Sequence, residues 1–250
     1  MERTPFHRRT LHLLGPLDWD CLPERNLTRD WGQTTIPQTA LIAALLIQLN
    51  EGLRSMSALT LGRYDEARAA LEESVSLSKS VGDRWGLGFA YQGLGIVVQA
   101  QGKHIQAVNL FRKGPDTLTE LGARQHVARV LAEMGGSIFA LGNDPEAGRV
   151  WRESLRIATE TRGTFVALEA MVGLARLQAK RGDIEQALEW LLIVLNHPAS
   201  VQETKNHAEQ LRIESEAQLT RPQVEAAEAR VQVRTFEAAV DEVLKQAELT

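Results

Sequence analysis

A single cysteine, Cys21, stands in the 250 residues of this chain. An intramolecular disulfide is therefore excluded, a thiolate zinc site is disfavoured, and a reducing cytoplasm fits. Long apolar runs are missing too, since a bilayer span needs about 20 apolar residues. The apolar stretch at residues 40–47 is broken at Gln48 and Asn50, and the run of Leu11, Leu13 and Leu14 behind Arg8 and Arg9 stops at Gly15 and Pro16. That run is too short for a signal-peptide core. Excess basic charge is also lacking: the net charge of −4 gives no bulk attraction to nucleic acid or anionic membrane. The motifs G-x-x-x-x-G-K-[ST], G-x-S-x-G and H-E-x-x-H do not occur, so nothing points to an NTPase, a serine hydrolase or a zinc peptidase. Only His7, His12, Asp18, Asp20 and Cys21 gather in sequence. Their spacing matches no standard ligand set, and no cofactor is expected.

What is present is a register. Gly62, Gly102, Gly142 and Gly182 stand 40 residues apart, and Ala67, Ala107, Ala147 and Ala187 keep the same interval. Four residues after each alanine comes a large apolar side chain: Leu71, Phe111, Trp151 and Leu191. Residues at i and i+4 share one face of a helix. Small residues recur at Ser55, Gly95, Gly135 and Ala175, where a second helix can approach closely. Each period therefore reads as two antiparallel helices joined by a turn at the glycine, where a helix has to stop. Asn143, Asp144 and Asp183 are placed to cap the following helices, and Pro145 falls early enough in its helix to be tolerated. With 44% hydrophobic and 24% charged residues the chain can bury a real core.

This pattern resembles the tetratricopeptide repeat family: Leu94, Gly95, Gly102, Ala107 and Phe111 carry it, as do Met134, Gly135, Gly142, Ala147 and Trp151. Leu174, Ala175, Gly182, Ala187 and Leu191 follow more loosely, and the first unit has Arg54 and Ser55 in place of the Leu-Gly pair. The resemblance implies an all-α, right-handed superhelical solenoid of antiparallel helix pairs, noncatalytic and built to bind protein. The interval is longer than the family's usual 34 or so, and the proline that commonly ends the second helix is missing; HEAT and armadillo arrays approach this length but lack the glycine-then-alanine turn. From about Ala40 onward the chain is similar to the longer repeats in sensor arms of bacterial signal-transduction ATPases of maltose-regulator-like architecture. A bacterial signalling or transcriptional regulator is the context this implies, present here without ATPase or DNA-binding parts.

Three regions follow. Residues 1–38 leave the register and form a leader, a degenerate unit or a remnant of a larger parent. Residues 39–197 hold four hairpins, at 39–81, 84–121, 124–161 and 164–196. Residues 198–250 supply helices at about 201–219, 222–231 and 235–247, whose polar faces suit a cap on the last repeat. Pro115, after Gly114, falls deep in a second helix and predicts a kink or early end near Lys113, at a cost of about 3 kcal/mol. That irregularity is either a hinge or locally tolerated.

The binding face of such an array is formed by the first helix of each unit. Counting from the small-residue column, positions three before, one after and four after select Gly52, Met56 and Leu59; Gln92, Ile96 and Gln99; Ala132, Gly136 and Phe139; and Val172, Arg176 and Ala179. Phe89, Arg129 and Glu169, six before, extend the strip. It is apolar in its N-terminal half and charged near Arg129, Glu169, Arg176 and Lys180, and such a trough recruits a partner segment. The Lys and Asn clamp that some family members use for a terminal carboxylate is missing, since the matching positions hold Gln92, Gly93, Ile96, Ala132, Glu133 and Gly136. The occupant is an outside protein or peptide, or the chain's own leader or C-terminal helices. Two further readings stand beside this one: DNA binding through the helices after Thr220, which carry Arg221, Arg230, Arg234 and Lys245 among more numerous acids, and a metal or catalytic site in the leader.

Overall fold

The computed structural model describes residues 63–246, which fall into two compact units divided between Gln101 and Gly102. Every regular element among the described residues is an α-helix.

The first unit shows α1 (Tyr64–Val81) packed on α2 (Arg84–Ala100). On α1, Ala67, Ala70, Leu71, Ser74 and Ser78 are buried, the i, i+3, i+4, i+7, i+11 pattern of one helix face. Gly93 of α2 meets that face so closely that a Cβ there would stand 2.7 Å from Leu71 Cδ2. Asp83 caps α2, its Oδ1 accepting from the Gly86 N–H at 3.0 Å.

The second unit runs through α3 (His104–Phe111), α4 (Lys113–Glu120), α5 (Arg124–Ala140), α6 (Asp144–Glu160), α7 (Thr164–Arg181) and α8 (Ile184–Asn196). Three helices follow, α9 (Gln202–Glu216), α10 (Arg221–Gln232) and α11 (Phe236–Gln246). The hairpin turns lie where the register places them: Gly142 and Gly182 hold φ of 79° and 93°, the left-handed region that a Cβ disfavours. Asn143 caps α6 by accepting from the Glu146 N–H at 3.4 Å. Asp144 and Asp183, expected as caps, do otherwise. Asp144 is the first residue of α6 and pairs with Lys180, while Asp183 makes no side-chain cap bond.

The interruption expected from Pro115 falls at Arg112, between α3 and α4. Pro115 has no N–H to give the Phe111 carbonyl four residues back, so the helical ladder loses a rung there. Arg112 itself keeps right-handed helical angles, φ −65° and ψ −24°, and α4 resumes at once to bury Leu118 fully.

Helices pack in chain order: α4 on α5, α5 on α6, α6 on α7, α7 on α8 and α8 on α9. The first helices of successive units, α5, α7 and α9, also touch in series. The core between them holds Phe111, Leu155, Leu168, Met171, Leu177, Leu188 and Leu191. Trp151 fills a slot built from two glycines, because a Cβ at Gly135 would lie 2.5 Å from its Nε1 and one at Gly173 would lie 2.2 Å from its Cε2. Its Nε1–H donates to the Ala132 carbonyl at 3.0 Å, and nearby the Ser154 hydroxyl donates to the Ala128 carbonyl at 2.7 Å.

Candidate partner-binding face

On α7 one stripe of residues is left partly or fully open to solvent: Phe165, Glu169, Gly173, Arg176 and Lys180. Steps of four and three residues keep them within about 40° of one line at 100° per residue. The same positions on α5 are Gln125, Arg129, Glu133, Gly136 and Ala140, again partly or fully exposed. On α9 the exposed row is Glu203, His207, Gln210 and Glu214. In the first unit the row on α2 is Trp85, Phe89, Gly93, Ile96 and Ala100, an apolar series in which the Trp85 and Phe89 rings stack at 5.2 Å.

The face of the second unit divides by charge. Towards the N-terminal halves of α5 and α7 lie Arg129, Glu133 and Glu169, with Glu203 of α9 acting on both carboxyls. Burial pushes Glu133 up to about 7 against the pull of Arg129, and Glu203 adds to the rise. Glu169 is pushed up to about 8, first by burial and then by Glu133 and Glu203, with Arg129 opposing. Both carboxyls thus hold protons that an exposed glutamate would lose. His126, one turn before Arg129, is held down at about 4 by burial and then by that guanidinium. Towards the C-terminal ends the character reverses. Lys180 Nζ sits 4.8 Å from the Phe139 ring centre and Arg176 Cζ 6.0 Å from it, while Lys180 pairs with Asp144 at 2.7 Å.

Of the residues the sequence selects, Phe89 is 47% exposed and Arg129 is exposed, whereas Ile96, Gln99, Phe139, Glu169 and Arg176 are partly buried. Gln92, Ala132 and Val172 are corrections: they are 5%, 5% and 6% exposed and do not line the open stripe. Three residues turn a helix by 300°, so this column lies about 60° off the stripe, where the neighbouring helices close over it. Ala132 shows the consequence directly, its carbonyl taken by Trp151. Gly52, Met56 and Leu59 lie outside the described residues, as does the His7 to Cys21 cluster. The sequence selects Glu133 only as one of the clamp-matching positions and not for the strip, although it lies four beyond Arg129 on one helix face. Glu203 was missed: it belongs to the tail, of which the sequence assigns no single residue to the face.

That tail covers other helices. α9 joins the first-helix series, whereas α10 packs on α8 and α11 reaches α6, both second helices. Buried Glu189 of α8 holds Arg230 at 2.6 Å and Arg234 at 3.1 Å, and Arg234 also pairs with Glu242. Gln186 donates to Glu242 at 3.0 Å, and His197 packs on Phe236 with ring centres 5.0 Å apart. Two of the arginines on which DNA binding would rest are thereby committed to carboxylates. No group of three or more potential metal ligands occurs among the described residues, and no described helix is long and apolar enough to cross a membrane.

Family models for the tetratricopeptide repeat match residues 47–114 and 168–192. No curated protein matches the chain. Among solved structures, the crystal structure of BtubC (BKLC) from P. vanneervenii superposes with a TM-score of 0.60 at 13% identity, over 77% of this chain and 81% of that one. At that identity the likeness speaks for the fold alone. The chain therefore carries tetratricopeptide repeats in an all-α helical solenoid, a protein–protein interaction scaffold of a kind that is generally noncatalytic.

Proposed function

We propose that this chain is the noncatalytic sensor or scaffold arm of a bacterial, cytoplasmic signalling or transcriptional regulator, gripping a protein or peptide on the face made by its first helices. The observation that carries the proposal is the open stripe on α5, α7 and α9, which combines partly buried carboxyls with a cation–aromatic shelf while the α10–α11 cap packs on second helices instead. The regulator context rests on the 40-residue register and the helical tail that follows it. Direct nucleic-acid binding and membrane association have no support in the charge balance. Residues 39–197 would supply the repeats and 198–250 the closing helices.

Photo-crosslinking tests this. A benzophenone side chain placed at Arg176, with one at exposed Arg156 on α6 as control, should capture one protein from the first position only. No adduct, or equal adducts from both positions, would overturn the interaction face. An adduct with a protein unconnected to signalling or transcription would overturn the regulator context and leave the scaffold standing.

A further inference from the structure

From the placement of charge along α7, resting on the interaction role just proposed, we infer that the partner is an extended segment carrying a cation and an anion three to five residues apart. Glu169, Arg176 and Lys180 lie on one stripe, with Glu133 beside the first and Phe139 beneath the other two. The rise of 1.5 Å per residue puts about 10 Å between the levels of residues 169 and 176, and about 16 Å between 169 and 180. An extended chain advances about 3.3 Å per residue, so three to five of its residues cover that distance.

The two ends of the stripe differ in charge. At one end burial, then Glu133 and Glu203, raise the proton affinity of Glu169, with Arg129 opposing. A lysine or arginine arriving beside Glu169 favours its ionised form and gains a charged acceptor in a desolvated site. At the other end Arg176 and Lys180 overhang Phe139, and among the described residues Lys180 has a carboxylate partner, Asp144, while Arg176 has none. An aspartate or glutamate reaching Arg176 gains a guanidinium with an aromatic floor. An all-basic segment would meet repulsion at Arg176, and an all-acidic one would gain no ion pair at Glu169, so the two zones together also select against single-sign partners.

Binding has a proton signature as well. Glu133 and Glu169 keep protons up to about 7 and about 8, and an incoming cation favours their ionised forms. Uptake of the segment should therefore release protons near neutral pH.

The test uses the full chain and a random-peptide display library. Enriched peptides should pair Lys or Arg with Asp or Glu at a separation of three to five. For a selected peptide, Glu169→Lys should weaken binding by about tenfold or more, and replacing the peptide's cation with glutamate should restore it. Arg176→Glu should do the same with respect to the peptide's anion. Titration calorimetry at pH 7.5 in two buffers of different ionisation enthalpy should report proton release for the wild type and less for Glu169→Gln. Circular dichroism establishes that each variant is folded, and the two variants alter opposite ends, so loss of one leaves the other informative. Enriched peptides that are apolar or of one sign, or affinities unmoved by both charge reversals, would overturn the inference while sparing the interaction role. A library that yields no binding peptide would overturn both.

Discussion

Trp151 occupies the space a side chain at residue 173 would need: a Cβ on Gly173 would stand 2.2 Å from Trp151 Cε2. The contact joins two consecutive units, since Trp151 lies on α6 and Gly173 on the first helix of the next hairpin. An indole ring held on its other side by Gly135 has no free volume to retreat into. Gly173→Ala should therefore destabilise the protein by about 1–3 kcal/mol, even though alanine is the better helix former. Urea denaturation checks this through the midpoint. Adding Trp151→Leu should recover part of the loss, so that the double variant is more stable than the two single effects summed.

The hairpin pairing was readable because a fixed interval carries small and large residues in complementary columns. Gly135 and Trp151 belong to two such columns, and their contact in space is the reason the columns exist. The Pro115 interruption was readable for a local reason, a missing N–H. The buried state of Ala132 and Val172 was not readable, because it depends on how neighbouring helices close over a position that looks outward on an isolated helix. Nor was the meeting of Glu133 with Glu169, which lie a whole unit apart and come together only when α5 and α7 stack. The return of α11 to α6 was not readable either: its Glu242 pairs with Arg234 of the linker and accepts from Gln186 of α8, contacts that no periodicity announces.

Arg162 stands where Gly82 and Gly122 stand in the earlier units, 40 residues beyond the second, and it adopts φ 57°. The Gly163 N–H closes this turn onto the Ala158 carbonyl at 2.7 Å, so the left-handed residue is built into the helix end. A side chain there costs about 1–2 kcal/mol, offset in part by the greater freedom glycine gives the unfolded chain. Arg162→Gly should raise stability by a few tenths to about 1 kcal/mol, seen as a higher melting temperature. Arg162→Ala should give no such gain.

Glu189 is 7% exposed and accepts from both Arg230 and Arg234, which makes it the anchor of α10 on α8. Glu189→Ala leaves two guanidiniums facing each other without their shared carboxylate, at a cost of roughly 2 kcal/mol. The loss should be local. Hydrogen exchange should quicken across residues 221–246 while α5–α7 keep their protection. Uniform loss of protection across the second unit would mean that the cap and the repeats unfold together.

The groups on the first-helix face make stability depend on pH in two opposing ways. Glu133 and Glu169 titrate higher in the folded protein, at about 7 and about 8, than the 4.5 of a free glutamate, so the folded state binds the extra protons. Their contribution is fully present below about pH 4.5 and is lost as pH rises through 7 and 8. His126 works the other way: lowered from 6.5 to about 4, it contributes above 6.5 and its share is lost as pH falls towards 4. Between pH 4.5 and 6.5 the effects oppose each other, but from 6.5 to 8 only the carboxyls still titrate, so denaturation midpoints should fall over that range. Glu169→Gln should flatten the fall because the amide has no proton to lose. His126→Asn should leave the upper limb intact and steepen the gain in stability as pH falls from 6.5 to 4.5, because the opposing histidine contribution is gone.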